Sequence, residues 1–328
     1  MILAGDIGGT HARLAFFESA NGQLTLLHET VFSSREYTGL GDIVQKFING
    51  AAVRVDSACF GIAGPVRKGK VETSNLPWIV DSGRLATDLN LKQALLINDL
   101  EANAWGIAAL GTNDVVSLNK VKDVPLGNQA VIAAGTGLGE AGMYWDGARY
   151  HVFASEGGHA DFAPRNNLEI ELLHYLIKRF GHVSYERIVS GPGLVNVFHF
   201  LRDTHRGKEP QWLSDEILHG DAAAAISQAA LEGKSPLAEQ ALDLFISVYA
   251  AEAGNLALKI MATGGVYLGG GIAPKMLSRL AGPLFMEAFV SKGRMQHVLE
   301  SIPVRVITND KAALMGAARC ATQSTQGV

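Results

Sequence analysis

Apolar positions along this chain fall into two rhythms, and the alternation between them sets the fold class. Residues 2–5 and 13–17 are apolar stretches on either side of a GGTH turn, and they predict a β-hairpin. Residues 58–62 and 95–97 predict buried strands, whereas 39–48 and 100–110 carry the longer helical spacing. The pattern then restarts. Residues 129–134, a loop at 135–139 and residues 141–145 predict a second strand–loop–strand unit. Helical patterns dominate from 168 to about 261, followed by a strand at 266–268, a run of glycines, a strand at 304–307 and a helix at 311–322. Strands mixed with helices predict an α/β fold, with a domain border near 111–114.

The two strand–turn units echo each other. GDIGGT at 5–10 and AGTGLG at 134–139 each sit in a tight turn after an apolar strand. Overall identity between the halves is low, so the expected repeat is structural. Two such units facing each other across a cleft would offer two phosphate-binding turns to one nucleotide.

Composition narrows the class. The 328 residues are 48% hydrophobic and 18% charged, enough for about two domains with buried cores. A net charge of −4 gives no electrostatic footprint for nucleic acid or an anionic membrane. Asp6 and Arg13 interrupt the first apolar stretch and no basic segment precedes it, so it does not read as a secretion signal. No uninterrupted apolar run is expected to span a membrane, since even 241–261 carries Asp243, Glu252 and Lys259. Cys59 and Cys320 belong to no metal or redox motif and are expected to pack as small apolar side chains. A soluble chain in the reduced cytoplasm is the expectation.

The motifs carry the chemistry. In GDIGGT, Gly8 and Gly9 allow a tight turn that brings N–H groups close to an anion. Thr10 adds a hydroxyl donor, and Asp6 at the strand end suits a magnesium ion held through water. Taken alone, these residues read more readily as an ordinary hairpin with a surface Asp. In AGTGLG, Gly135, Gly137 and Gly139 bracket Thr136. This is neither a dinucleotide fingerprint, because a strand follows in place of a helix, nor a Walker A loop, because no Gly-Lys-Ser/Thr follows. In LINDLE, Asn98 or Asp99 is placed to cap a helix. The carboxyl end of a strand is also where ligands bind in α/β sheets, and the helix dipole favours an ionised Asp99 there. Such a carboxylate is what proton removal from an alcohol requires. In SEGGHADFAP, Glu156 and His159 offer acceptors and a donor to a polyol, or are solvated turn residues; without cysteines beside His159 a zinc site is a weak reading. GGVYLGGGIAP at 264–274 permits close backbone approach, either to a flat purine or simply in a strand-to-helix turn.

Taken in order, GDIGGTHARLA, LINDLEANAWGI, AAGTGLG, SEGGHADFAP, HVSYERIVSGPGLVN and GGVYLGGGIAP resemble the bacterial glucokinases, and more broadly the hexokinase and actin-like ATPase superfamily. The resemblance runs from Gly5 to about Gly316. It implies two ribonuclease-H-like α/β domains flanking a cleft: residues 1–110 completed by 302–328, and residues 111–301. It implies phosphorylation of the 6-hydroxyl of glucose by ATP, with Asp99 as base. Asn98, Glu156, His159 and Glu186 are implied as ligands of the other hydroxyls. Gly8, Gly9, Thr10, Thr136 and Gly137 are implied at the phosphates, Asp6 near Mg2+, and Gly270 and Gly271 near adenine. Homodimers are common in the family. One position departs from it, His11, where Asn is usual.

Other readings are weaker on the same residues. The repressor/ORF/kinase sugar kinases share a Glu-x-Gly-His pattern but carry a CxCGxxGC zinc cluster beyond it, and 160–196 contains no cysteine. A DNA-binding sugar sensor needs a helix-turn-helix before the first phosphate turn, and only four residues precede Gly5. An ATPase that acts on no sugar would leave Glu156, His159 and Glu186 without a purpose.

Overall fold

The computed structural model describes residues 1–20, 23–50, 53–73, 76–91 and 93–323. It divides into two compact units. The first comprises Met1–Asp114, Val152–Ala154 and the segment from Asn309 onward; the second comprises Val115–His151 and Ser155–Thr308.

The first unit is built on a five-stranded sheet. Its strands are β1 (Ile2–Ile7), β2 (His11–Ala20), β3 (Gln23–Ser33), β4 (Ser57–Ile62) and β7 (Ala94–Asn98), in the order β3-β2-β1-β4-β7. The small β5 (Lys70–Glu72) and β6 (Ile79–Asp81) pair separately. β1 to β3 run antiparallel, and β1, β4 and β7 run parallel. The helices are α1 (Leu40–Asn49), α2 (Ser82–Asp88) and α3 (Asp99–Ile107). Leu3, Ile7, Leu14, Phe16 and Phe60 fill one face with α1, and Ile2, Ala4, Phe17 and Cys59 fill the other with the C-terminal helix Ala312–Gln323. That helix packs against α3 almost backbone to backbone. A Cβ on Gly106 would lie 2.1 Å from the Ala312 carbonyl oxygen, and one on Gly316 would lie 1.8 Å from that of Ala102. Cys59 and Cys320 meet in this layer, where the hydrogen bond between them and burial push the Cys59 thiol well up.

The second unit repeats the plan. β8 (Val115–Ser117), β9 (Gln129–Ala134), β10 (Leu138–Trp145), β11 (Tyr150–Ser155), β12 (Gly265–Gly269) and β13 (Val304–Ile307) form a six-stranded sheet, ordered β11-β10-β9-β12-β13-β8. As in the first sheet, an antiparallel hairpin around the glycine turn continues into parallel strands, here with β8 antiparallel at the edge, so the repeat expected from the two glycine turns is present as topology. The main helices are α4 (Asn167–Phe180), α5 (Gly191–Asp203), α6 (Gln211–His219), α7 (Ala222–Leu231) and α8 (Pro236–Ile260). The long α8 starts at a Ser235 cap with Pro236 in its first turn and stops where Met261 adopts a left-handed conformation. By length and composition α8 could cross a membrane, but it carries the expected Asp243, Glu252 and Lys259, and 78% of its most apolar stretch is buried inside the fold. Phe245 and Tyr249 anchor it in the core, and the Tyr249 hydroxyl donates to the Ile132 carbonyl at 3.1 Å.

The structure moves one expected boundary. The return to the first unit was expected at 302, yet β13 pairs with β12 and β8, and the Asn119 side chain bonds both Ile302 and Val304. The chain therefore crosses back after Thr308. Residues 324–328 of the expected segment lie outside the described residues.

Candidate active site

In the first unit the glycine turn is the β1–β2 hairpin loop. The Gly8 N–H donates to the His11 carbonyl at 2.9 Å, so position 11 serves through its backbone whatever its side chain. The turn is braced from behind by Ser34, which is fully buried. Its hydroxyl donates to the Gly8 carbonyl at 2.8 Å and its N–H to the Thr10 carbonyl at 2.9 Å. With the Gly8 and Thr10 carbonyls held from behind, the turn keeps a shape that suits an anion.

Asp6 ends β1 beside this turn, opposite Arg13 on β2. Burial raises its pKa to about 6, with Asp99 and Asp310 adding repulsion and Arg13 opposing them. Arg13 is itself shared, at 3.1 Å from Asp310 and 3.4 Å from Glu29. Acids that repel each other suit a cation, and this donor set fits magnesium held through water. Among the described residues there is no group of three or more His, Cys, Asp and Glu arranged to hold a metal directly.

Asn98 and Asp99 stand where β7 passes into α3. Asn98 takes the capping role: its side chain accepts from the Leu100 N–H at 2.8 Å, and Glu101 reaches back to the Asn98 N–H at 2.9 Å. Its amide nitrogen donates to the Gly64 carbonyl at 3.2 Å, and the amide's second N–H is the one available to a ligand. Asp99 is the first helical residue, where the dipole favours its anion, and its carboxylate accepts from its neighbour's N–H at 3.0 Å.

In the second unit three expected residues converge. Glu186 lies in the turn Tyr185–Arg187, and its Oε2 accepts from the Leu138 N–H at 2.9 Å. A Cβ on Gly137 would lie 2.5 Å from that oxygen, so the glycine there makes room for a carboxylate. The other oxygen, Oε1, lies 4.0 Å from His159 Nδ1, and His159 Nε2 lies 4.0 Å from Glu156 Oε2. Glu156 and His159 bracket the turn Gly157–His159, whose glycines lie flat on β10: a Cβ on Gly158 would fall 2.0 Å from the Leu138 carbonyl oxygen. Ser190 links this group to α5, donating to the Glu186 carbonyl at 2.8 Å and capping the helix at the Gly193 N–H.

Beside Thr136 a cavity of 650 Å3 opens, lined also by Val195, Asp221, Ser227, Ile272 and Lys275. Gly271 lines it and begins the turn into the helix Ile272–Lys275. Gly270 has φ of 78°, and a Cβ there would strike the Ala134 carbonyl at 2.3 Å, so close approach and a left-handed backbone both require glycine. Asp221, Ser227 and Lys275 belong to no motif and were not expected. A larger cavity of 780 Å3 in the first unit, between Gln45 and Leu91, touches none of the motif residues.

Comparison with known proteins agrees with the motifs. The glucokinase family model matches residues 3–324. A glucokinase of Synechocystis is 45% identical, the match covering 98% of each chain, and one of Nostoc is 42% identical over 98% of this chain and 99% of its own. The crystal structure of a glucokinase from an Antarctic psychrotroph superposes with a TM-score of 0.84 at 31% identity, over 98% of both chains.

Proposed function

The chain belongs to the glucokinase family, and from that premise we propose that it transfers the terminal phosphoryl group of ATP to the 6-hydroxyl of glucose. Asp99 takes the hydroxyl proton as the oxygen attacks phosphorus. Asn98, Glu156, His159 and Glu186 hold the remaining hydroxyls and aim the 6-hydroxyl. The turns at Gly8, Gly9 and Thr10 and at Thr136 and Gly137 hold the phosphates, and the cavity lined by Gly271, next to Gly270, takes the adenine. Asp6 would hold a magnesium ion through water, which when bound offsets phosphate charge. A homodimer belongs to the same reading.

The observation that supports this best is the double engagement of Glu186. One oxygen fixes the turn at Leu138 and the other faces His159, so a sugar-binding carboxylate and a phosphate-binding turn are held by one side chain. Phosphoryl transfer depends mainly on such mutual positioning.

An assay coupled to ADP release is the test. ADP should form with glucose and not without it, and a panel of other hexoses should be slower. ADP release independent of sugar would replace this reading with a plain ATPase. A second expectation concerns Ser34. Ser34→Ala removes the brace on Gly8, worth about 1 kcal/mol. It should raise the ATP KM several-fold and leave the glucose KM within about twofold, since the bond it removes orders only the phosphate turn. An unchanged ATP KM would show that the turn holds its shape without the brace.

A further inference from the structure

Beneath the turn that carries Glu156 and His159 lies a carboxyl group that the reaction does not use. Glu140 points inward from β10, only 1% exposed, and its Oε1 has no hydrogen-bond partner among the described residues. Its Oε2 presses on Gly157, where a Cβ would fall 1.9 Å from it. Gly157 is further tied by its N–H to the Ser155 hydroxyl at 3.0 Å. The carboxyl and the turn therefore share one space, and neither shifts without the other.

The neighbourhood decides its charge. Glu252 on α8, fully buried, accepts from Lys259 at 3.2 Å and from Asn255 at 2.8 Å. The titratable groups facing Glu140 are Glu252, Lys259 and Tyr249, all on α8. β9 brings no charge, and on the Ser155–Gly157 side the one carboxylate, Glu156, is exposed and lies beside His159. The cation belongs to Glu252, and Glu140 has none of its own. Lys259 bonds Glu252 directly, and Lys292, bonded to Asn255, also acts on Glu252, so the buried carboxyl that keeps its proton is Glu140, in a hydrogen bond with Glu252. Burial first, then Glu252, raise the Glu140 pKa to about 8.

We propose that Glu140 is a positioning residue, present as the neutral acid, that seats Gly157 and through it fixes Glu156 and His159 for the sugar. This rests on the reading of those two residues as sugar ligands. As pH passes about 8, Glu140 ionises against Glu252. The new anion must gain water or distance, and the turn above it is what gives way.

The test measures KM for glucose, KM for ATP and kcat from pH 6.5 to 9.5 in the wild type, Glu140→Gln and Glu140→Leu. In the wild type the glucose KM should rise about tenfold above pH 8, while the ATP KM changes no more than it does in Glu140→Gln. Glu140→Gln, neutral at every pH, should match the wild-type glucose KM at pH 7 and lack the alkaline rise. Glu140→Leu should raise the glucose KM about tenfold already at pH 7, with kcat and ATP KM within about twofold. The same alkaline rise in wild type and Glu140→Gln would overturn the proposal, and if the Leu variant fails to fold, that pair of profiles decides alone. A wild type that does not phosphorylate glucose would remove the functional reading and this proposal with it; normal turnover with an insensitive Glu140→Gln comparison removes this proposal only.

Discussion

Replacing Asp99 by Asn should lower kcat by about 10²–10⁴-fold while glucose still binds. The substitution is close to isosteric, and the structure limits what it disturbs. Asn98, not Asp99, caps α3, and the capping box with Glu101 stays intact. An Asn at 99 can still accept the Leu100 N–H that the carboxylate accepts at 3.0 Å. What it cannot do is take a proton from a hydroxyl. Removing this charge also removes one of the repulsions that raise the Asp6 pKa, so Asp6 should ionise more readily in the variant. Initial rates of ADP release give kcat, and calorimetric titration with glucose gives the binding constant. Near-normal turnover would show that the base is elsewhere, and loss of glucose binding would recast Asp99 as a ligand alone.

Gly316→Ala should be the most damaging conservative change in the first unit. The added methyl would lie 1.8 Å from the Ala102 carbonyl, and at Gly106, one turn on, the Ala312 carbonyl is already as close as a glycine allows. Backbone meets backbone here, so no side chain can rotate away. The helices must separate, and the apolar layer of Ile2, Ala4, Phe17 and Cys59 beneath the C-terminal helix loosens with them. Overpacking costs about 1–3 kcal/mol, and each kcal/mol lowers a melting temperature by roughly 2–4 °C in a protein of this size class. Gly41→Ala is the control: it sits in α1 with nothing within 4 Å, so it should be neutral or stabilising. Thermal melts followed by circular dichroism compare the two. Equal melting temperatures would mean that the α3 contact does not limit stability.

The hairpins around both glycine turns, the strands β4, β7, β12 and β13 and the long helical region were legible in the sequence. Each buries a face, and burial is what imprints a period. β3 was not legible, although it is one of the longest strands. Among the described residues it pairs only with β2, and its Leu26, Leu27 and Val31 are 37%, 48% and 50% exposed, so its apolar residues follow no buried stripe. The boundary at 302 failed for a different reason. A strand announces itself by its residues, but which sheet it joins is decided by partners such as Asn119, which bonds Val304 across 185 positions.

The site shows the same division. Glycines and carboxylates in tight turns are visible as motifs, because their spacing is local. Ser34 is not, since it braces Gly8 from the far end of β3. Asp221, Ser227 and Lys275 reach one cavity from separate helical segments. Glu140 carried a signal that was there to be read. It stands in an apolar strand just after a glycine turn, where a charged residue is out of place unless something in the interior needs it.

The dependence of the first unit on the C-terminal helix has a consequence for how the protein is made. A ribosome finishes residues 1–114 well before it reaches 312–323. At about 5–20 residues per second the intervening stretch takes roughly 10–40 s. Throughout that interval one face of the β1–β4–β7 sheet, with Cys59 on it, lacks its natural cover. The second unit, whose own cover is complete by Thr308, emerges first as a finished body. The part of the chain made first is therefore the part whose second face is covered last.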